Sequence, residues 1–258
     1  MEFLSALTRW IHVLAGIVWI GMLYFFNFVN GPFQGTIDAE TKKKVNPEVL
    51  PRALYWFRWG AAWTWLTGVL LLQLVFWGPK ITLNPETSWG AGSITMLALV
   101  FVGPFIYDAL AKSGLGKNPK VFGTVGFVLL AGVLCTMHYV GFTYRGYNIH
   151  LAALLGTTMA YNVWFRIWPA QQKIIRGLKE GNPADAAVVS LAGSRSRHNT
   201  YMSVPLLWGM INSHTTWFSG GNLGLDAANA FLAYMAVILV GWHVVWHFYK
   251  IAGRVKGF

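Results

Sequence analysis

Leu4-Ser-Ala-Leu-Thr-Arg-Trp-Ile-His-Val-Leu-Ala-Gly-Ile-Val-Trp-Ile-Gly-Met-Leu-Tyr-Phe-Phe-Asn-Phe28 is the stretch on which the reading of this chain turns. Arg9 is its one charged side chain and His12 its one histidine. A helix rises about 1.5 Å per residue, so about 20 apolar residues cross the hydrocarbon of a bilayer. The run is long enough to span. No small-residue cleavage site leads from it into a polar segment, so it does not read as a removable signal.

The same pattern recurs along the chain. Seven spans are expected: Leu4–Phe28, Leu54–Trp77, Ser93–Ala111, Val121–Phe142, Ile149–Trp168, Asn199–Trp217 and Ala227–Tyr249. The fold class is therefore all-α, an integral-membrane helical bundle that occupies 1–258 as a single domain. Composition agrees. Hydrophobic residues make up 55% of the 258 and charged residues 11%, against roughly 25% charged in soluble domains. Spans four and five, joined by the polar turn Thr143-Tyr-Arg-Gly-Tyr-Asn148, are expected to be antiparallel neighbours, and Pro205 is expected to kink span six.

Charge sets the orientation. Lys42, Lys43, Lys44, Arg52 and Arg58 precede or open span two, and Lys112, Lys117 and Lys120 lie between spans three and four. Arg166, Lys173, Arg176, Lys179, Arg195 and Arg197 lie between spans five and six, and Lys250, Arg254 and Lys256 form the tail. Only Arg9, Lys80 and Arg145 remain for the other side. Cytoplasmic loops collect Lys and Arg, so the N-terminus is expected outside and the C-terminus in the cytoplasm, in a multi-pass protein of the bacterial inner membrane. The cytoplasmic loop 169–197 reads as an extension of span five, a turn at Gly181-Asn-Pro183 and a short helix from about Ala184, its basic face resting on anionic lipid. The net charge of +11 is thus a matter of topology, and nucleic acid is not an expected partner.

All seven histidines fall inside or at the mouth of a span: His12, His138, His150, His198, His214, His243 and His247. Ionisable groups are costly in hydrocarbon and mark function there, and neutral imidazole is a standard axial ligand of haem iron. With the orientation above, His12 lies roughly 12 Å down from the outer end of its helix. His12, His138, His150 and His214 form an outer set, and His198, His243 and His247 an inner one. Two layers of imidazoles suit one or two b-type haems that carry electrons across a membrane. The candidate cofactor-binding residues are His12, His138, His214, His198, His243 and His247, with haem iron held through His12, His138, His214 and His243. Small residues needed beside a porphyrin occur at Ala15, Gly16 and Gly21 and at Gly126, Gly132 and Gly141. Arg9 and Arg145 outside, and Arg58, Arg195 or Arg197 inside, are candidate propionate partners. His150 and His198, at helix ends, are equally well read as interfacial hydrogen-bonding residues.

Other chemistries are poorly represented. His243 and His247, at i and i+4, could share one metal, but no carboxylate accompanies them as a hydrolytic zinc site requires. Asp108 is the one acid near the body of a span, whereas proton pumps bury more. Cys135 stands alone, which excludes a disulfide framework, a cysteine zinc site and a covalent c-type haem. No phosphate loop, dinucleotide fingerprint or Ser-His-acid arrangement is present, and no catalytic residue can be named.

The run Arg9-Trp-Ile-His-Val-Leu-Ala-Gly-Ile-Val-Trp-Ile-Gly21 resembles the first span of the membrane domain of bacterial urate hydroxylases, the urate oxidase N-terminal family. More distantly it resembles copper-resistance D-type proteins and J-type protoporphyrinogen oxidases. Trp56-Phe-Arg-Trp59, Thr64-Trp-Leu-Thr-Gly68, Leu155-Gly-Thr-Thr-Met-Ala-Tyr-Asn-Val-Trp-Phe165, Arg195-Ser-Arg-His-Asn-Thr-Tyr201, Pro205 and Asn212-Ser-His214 narrow the likeness to the urate family. The resemblance implies a membrane oxidoreductase domain. In the family's namesakes urate becomes 5-hydroxyisourate, and electrons pass to a cytochrome c domain that follows a further span. It singles out His12, Arg195, His198, Asn199, Asn212 and His214 without dividing them between haem and substrate.

The chain departs from that pattern. It ends at Phe258, ahead of the further span and haem c domain. Asn30-Gly-Pro-Phe-Gln34 and Tyr55 stand where the urate branch carries a His-Gly-Gly-Gly-type segment and a histidine. The first expectation is therefore a haem b electron-transfer subunit of a respiratory complex, acting with a c-type cytochrome subunit, other membrane subunits or quinone. A stand-alone urate hydroxylase that reduces a separate cytochrome c is the alternative, and a haem-free anchoring subunit is the third.

Overall fold

The structure, a computed structural model, describes residues 2–182 and 185–255. Among them are seven long helices, with short 3₁₀ turns between some and no strand. They are α1 (Glu2–Gln34), α2 (Ala39–Trp77), α3 (Ala91–Lys112), α4 (Pro119–Tyr139), α5 (Tyr144–Asn162, continued by Val163–Ile167 and Trp168–Lys179), α6 (Ala186–Asn212) and α7 (Phe231–Ala252). Of these, α1, α2, α3, α4 and α7 are long and apolar enough to cross a membrane. Helices α5 and α6 are not, because they carry Asn148, His150, Asn162, Arg195, Asn199 and Ser203, all buried. Polar groups at membrane depth must find partners on neighbouring helices. These polar side chains of α5 and α6 are accordingly covered by protein.

Several expected boundaries move. Helix α2 starts at Ala39 instead of Leu54, so the expected first cytoplasmic loop is mostly helix despite Pro47 and Pro51. Asp38 caps it, accepting from Thr41 N–H at 2.9 Å and from the Thr41 hydroxyl at 2.6 Å. The amides of Gln34 and Asn46 exchange hydrogen bonds of 2.8 Å in both directions. These contacts fix the turn from which α2 starts. The turn before α5 shrinks to residues 140–143, and α5 runs unbroken past Trp168 to Lys179. Helix α6 starts at Ala186, so the separate short helix expected before span six is part of it, and it ends at Asn212 instead of Trp217. Pro183 and the expected helix start at Ala184 lie outside the described residues.

The chain groups into two compact units. The first comprises 1–70, 159–203 and 242–258. In it α1 and α2 pack antiparallel along a column of small residues on α2. Gly60 meets the backbone of Trp19, Thr64 meets Gly16, and Gly68 meets the ring of His12. Small residues four apart let membrane helices approach closely, where dispersion replaces the missing hydrophobic drive. Phe57 stacks edge-on against Phe26 at the far end of the column.

The second unit comprises 71–158 and 204–241. Its α2–α3 connection is stitched to the α4–α5 turn: Asn84 N–H donates to Gly141 O at 2.8 Å, and Thr143 N–H to Thr82 O at 2.9 Å. Gly141 sits at φ +91°, a conformation that favours glycine, and a side chain at Gly146 would collide with the Thr82 carbonyl. In the same unit Tyr234, buried on α7, donates to Pro205 O of α6 at 2.9 Å.

Candidate functional site

His12 is the best-organised candidate. Its Nδ1 lies 3.1 Å from Thr67 Oγ1 on α2. The Thr67 hydroxyl proton is already committed to Trp63 O at 2.6 Å, so Oγ1 acts as acceptor and Nδ1 carries the hydrogen. The tautomer leaves a lone pair on Nε2. This is the arrangement a ligating imidazole requires, with one nitrogen tethered by a neighbour and the other left to the metal. Gly68 is what admits the ring, since a Cβ there would lie 3.1 Å from His12 Cε1. Thr64, Thr67 and Gly68 all come from the stretch Thr64-Trp-Leu-Thr-Gly68.

His150 shows the opposite. It is completely buried; Nδ1 donates to Gly146 O at 2.7 Å, and Nε2 accepts from Trp77 Nε1 at 2.9 Å. Both nitrogens are engaged, so it is a satisfied core residue. His138 stacks on Phe231, with centroids 4.7 Å apart, and meets the edge of Tyr147. His214 is exposed just past the end of α6, close to the attachment of Arg145, whose Nε donates to Ser213 O at 2.8 Å. Asn212 donates to Trp208 O. His243 and His247 are both exposed on α7.

His12, His198, His243 and His247 belong to the first unit, and His138, His150 and His214 to the second. Among the described residues no three His, Cys, Asp or Glu side chains gather where a metal ion could be held. An open groove of about 460 Å³, lined by Met22, Phe25, Glu48, Val49, Arg52, Ala53 and Trp56, contains none of the histidines.

The expected propionate partners divide. Arg9 is exposed. Arg58 stacks over Trp168 at 3.9 Å, while its carbonyl accepts from Trp164 Nε1 at 3.0 Å. Arg195 is buried, and Arg197 lies over the Tyr249 ring at 5.4 Å. Asp108 is bound to Lys112 at 2.7 Å, a structural use of the lone deep acid.

The Arg195–Tyr201 segment sits in a polar belt of the first unit that sequence reasoning passed over. Asn27 donates to Ser196 Oγ at 2.8 Å and accepts from Tyr249 OH at 2.7 Å. Tyr24 and Ser203 share a bond of 2.9 Å. Asn199 accepts from Asn162 at 2.8 Å and donates to Met159 O at 3.0 Å. The signal was available: Asn27 and Asn162 are amides inside otherwise apolar runs.

Fold and site together define a polytopic helical membrane protein with an oriented imidazole between its first two helices. Residues 33–256 match the urate oxidase N-terminal family, and the chain belongs to that family. The match leaves out residues 1–32, and with them His12. No curated protein and no solved structure matches the chain.

Proposed function

We propose that this protein is a haem b-binding electron-transfer subunit of the bacterial inner membrane, with seven spans, its N-terminus outside and its C-terminus in the cytoplasm. The observation that carries the reading is the His12 imidazole, with Nδ1–H tethered to Thr67 and Nε2 left as a donor to metal. Haem iron would supply one-electron transfer between its ferric and ferrous states. The chain's own residues would do the rest. Thr67 fixes the ring, and Gly68 lets α2 approach it closely. His138 and His214 are the ligand candidates of the second unit, and Arg145 offers its guanidinium there to a carboxylate. A c-type cytochrome subunit, another membrane subunit or quinone would exchange the electron. The test is a pyridine-haemochrome assay with a reduced-minus-oxidised spectrum. The wild type is expected to show b haem and His12→Ala to lose it; full haem content in His12→Ala would overturn the assignment.

Family membership favours a second reading, a membrane hydroxylase that oxidises urate to 5-hydroxyisourate and passes electrons to a separate cytochrome c. Reduction of the haem on addition of urate would select it over the first.

A further inference from the structure

The histidine pair of α7 points away from the protein. Successive residues of a helix turn by about 100°. Ile238 and Val245, both completely buried, mark the side of α7 that packs inward. His243 and His247 lie roughly opposite them, in the middle of an exposed strip with Leu239 (49% exposed), Val240 (61%) and Trp246 (44%). Lys250 lies over the Trp246 ring at 4.0 Å. An apolar strip of this kind suits lipid, yet its centre carries two imidazoles. His243 packs against the Trp246 ring at 5.4 Å, but imidazole nitrogens facing hydrocarbon are costly, and in membranes such groups mark a ligand or a contact.

Spacing of four brings both rings to the same helix face, one turn apart, where they chelate a single transition-metal ion. Two ligands do not complete a site, since zinc and its neighbours take four donors in a closed structural site. No third His, Cys, Asp or Glu among the described residues joins them. A second α7, related by a two-fold axis, supplies the same pair again, as an isologous contact does. The flanking Leu239, Val240 and Trp246 would then be covered on both copies.

We propose that His243 and His247 are half of a four-histidine site for a zinc-, nickel- or copper-type ion, completed by the same pair from a second copy of this chain. The role is structural, since a closed four-histidine shell leaves no position for substrate. It takes His243 and His247 out of the set of haem-ligand candidates and leaves the His12 assignment as it stands.

The full chain, purified in detergent without a histidine tag and stripped with chelator, tests this. Added Zn²⁺ is expected to bind at one ion per two chains and to convert monomer to dimer by light scattering of the protein component. His243→Ala and His247→Ala should each abolish the mass change. Both side chains lie outside the core, so the variants should keep wild-type helicity. Three results would overturn the proposal: a mass unaffected by Zn²⁺, one ion bound per chain without association, or a metal-dependent dimer that persists in His243→Ala/His247→Ala.

Discussion

Trp77 donates its indole N–H to Nε2 of His150 across 2.9 Å, and that bond takes the most deeply buried imidazole of the chain out of metal chemistry. Burial within the protein and capacity to bind a metal are therefore different properties. His150 is the more buried residue and is spent on its neighbours. His12 is half-buried and retains a nitrogen.

Trp77→Phe should leave a buried acceptor without its donor, which costs about 1–3 kcal/mol. The expected result is a lowered thermal midpoint in detergent with unchanged haem content. A fall in haem equal to that of His12→Ala would show that His150 is a ligand after all.

Thr67→Val removes the acceptor for Nδ1–H of His12 while nearly keeping the volume. Loss of such an outer partner typically weakens metal binding roughly 10–100-fold. Haem should transfer faster from the Val variant to apomyoglobin, and Thr67→Ser should restore retention. Equal transfer from all three proteins would remove Thr67 from the site.

Gly209→Ala would place a Cβ closer than 3.0 Å to Tyr234 OH, Asn148 O and Ala152 Cβ. Overpacking of this kind costs about 1–3 kcal/mol. Gly132→Ala, with nothing within 4 Å, should be neutral or stabilise α4 by up to about 1 kcal/mol. Thermal melts of the two variants should therefore shift in opposite directions or only for Gly209.

Asn199→Leu removes the acceptor of the Asn162 amide and the donor to Met159 O. Inter-helix hydrogen bonds in membranes are worth about 0.6–2 kcal/mol. A loss of that size is expected in denaturation by detergent mixtures, and Asn199→Asp should not recover it, because the amide donor is still missing.

Asp38 supplies a pH test outside the membrane. The Thr41 hydroxyl, and next the Thr41 N–H, hold its carboxyl below the ordinary range. A depressed carboxyl stabilises the cap above its unfolded pKa, and the contribution is lost as pH falls through the folded value. Protection of the Thr41 amide from hydrogen exchange should weaken in acid in the wild type. Asp38→Asn keeps an acceptor and should show no such step relative to intrinsic exchange; a step of the same size in both would refute the assignment.

How much was legible in the sequence is clearest at particular residues. The apolar run from Leu4 announced a spanning helix because hydrocarbon thickness sets a length that can be counted. The start of α2 at Ala39 was not legible, since the apolar run begins only at Leu54 and the holding contacts, Asp38 to Thr41 and Gln34 to Asn46, involve a local cap and a contact across a turn. His12 could be singled out by type and depth. Its tautomer could not, because that depends on Thr67, 55 positions away. His243 and His247 were plainly a pair at helical spacing, while the side they face depended on which residues of α7 pack inward.

The sequence by itself determined that the chain is helical, membrane-type and a member of the urate oxidase N-terminal family, because apolar length, loop charge and local motifs are written along the chain. Only the tertiary structure decided that His150 is satisfied, His12 is oriented with a nitrogen to spare, and His243 and His247 look outward. An imidazole's chemistry is set by what meets its two nitrogens, and those partners lie on other helices or on none.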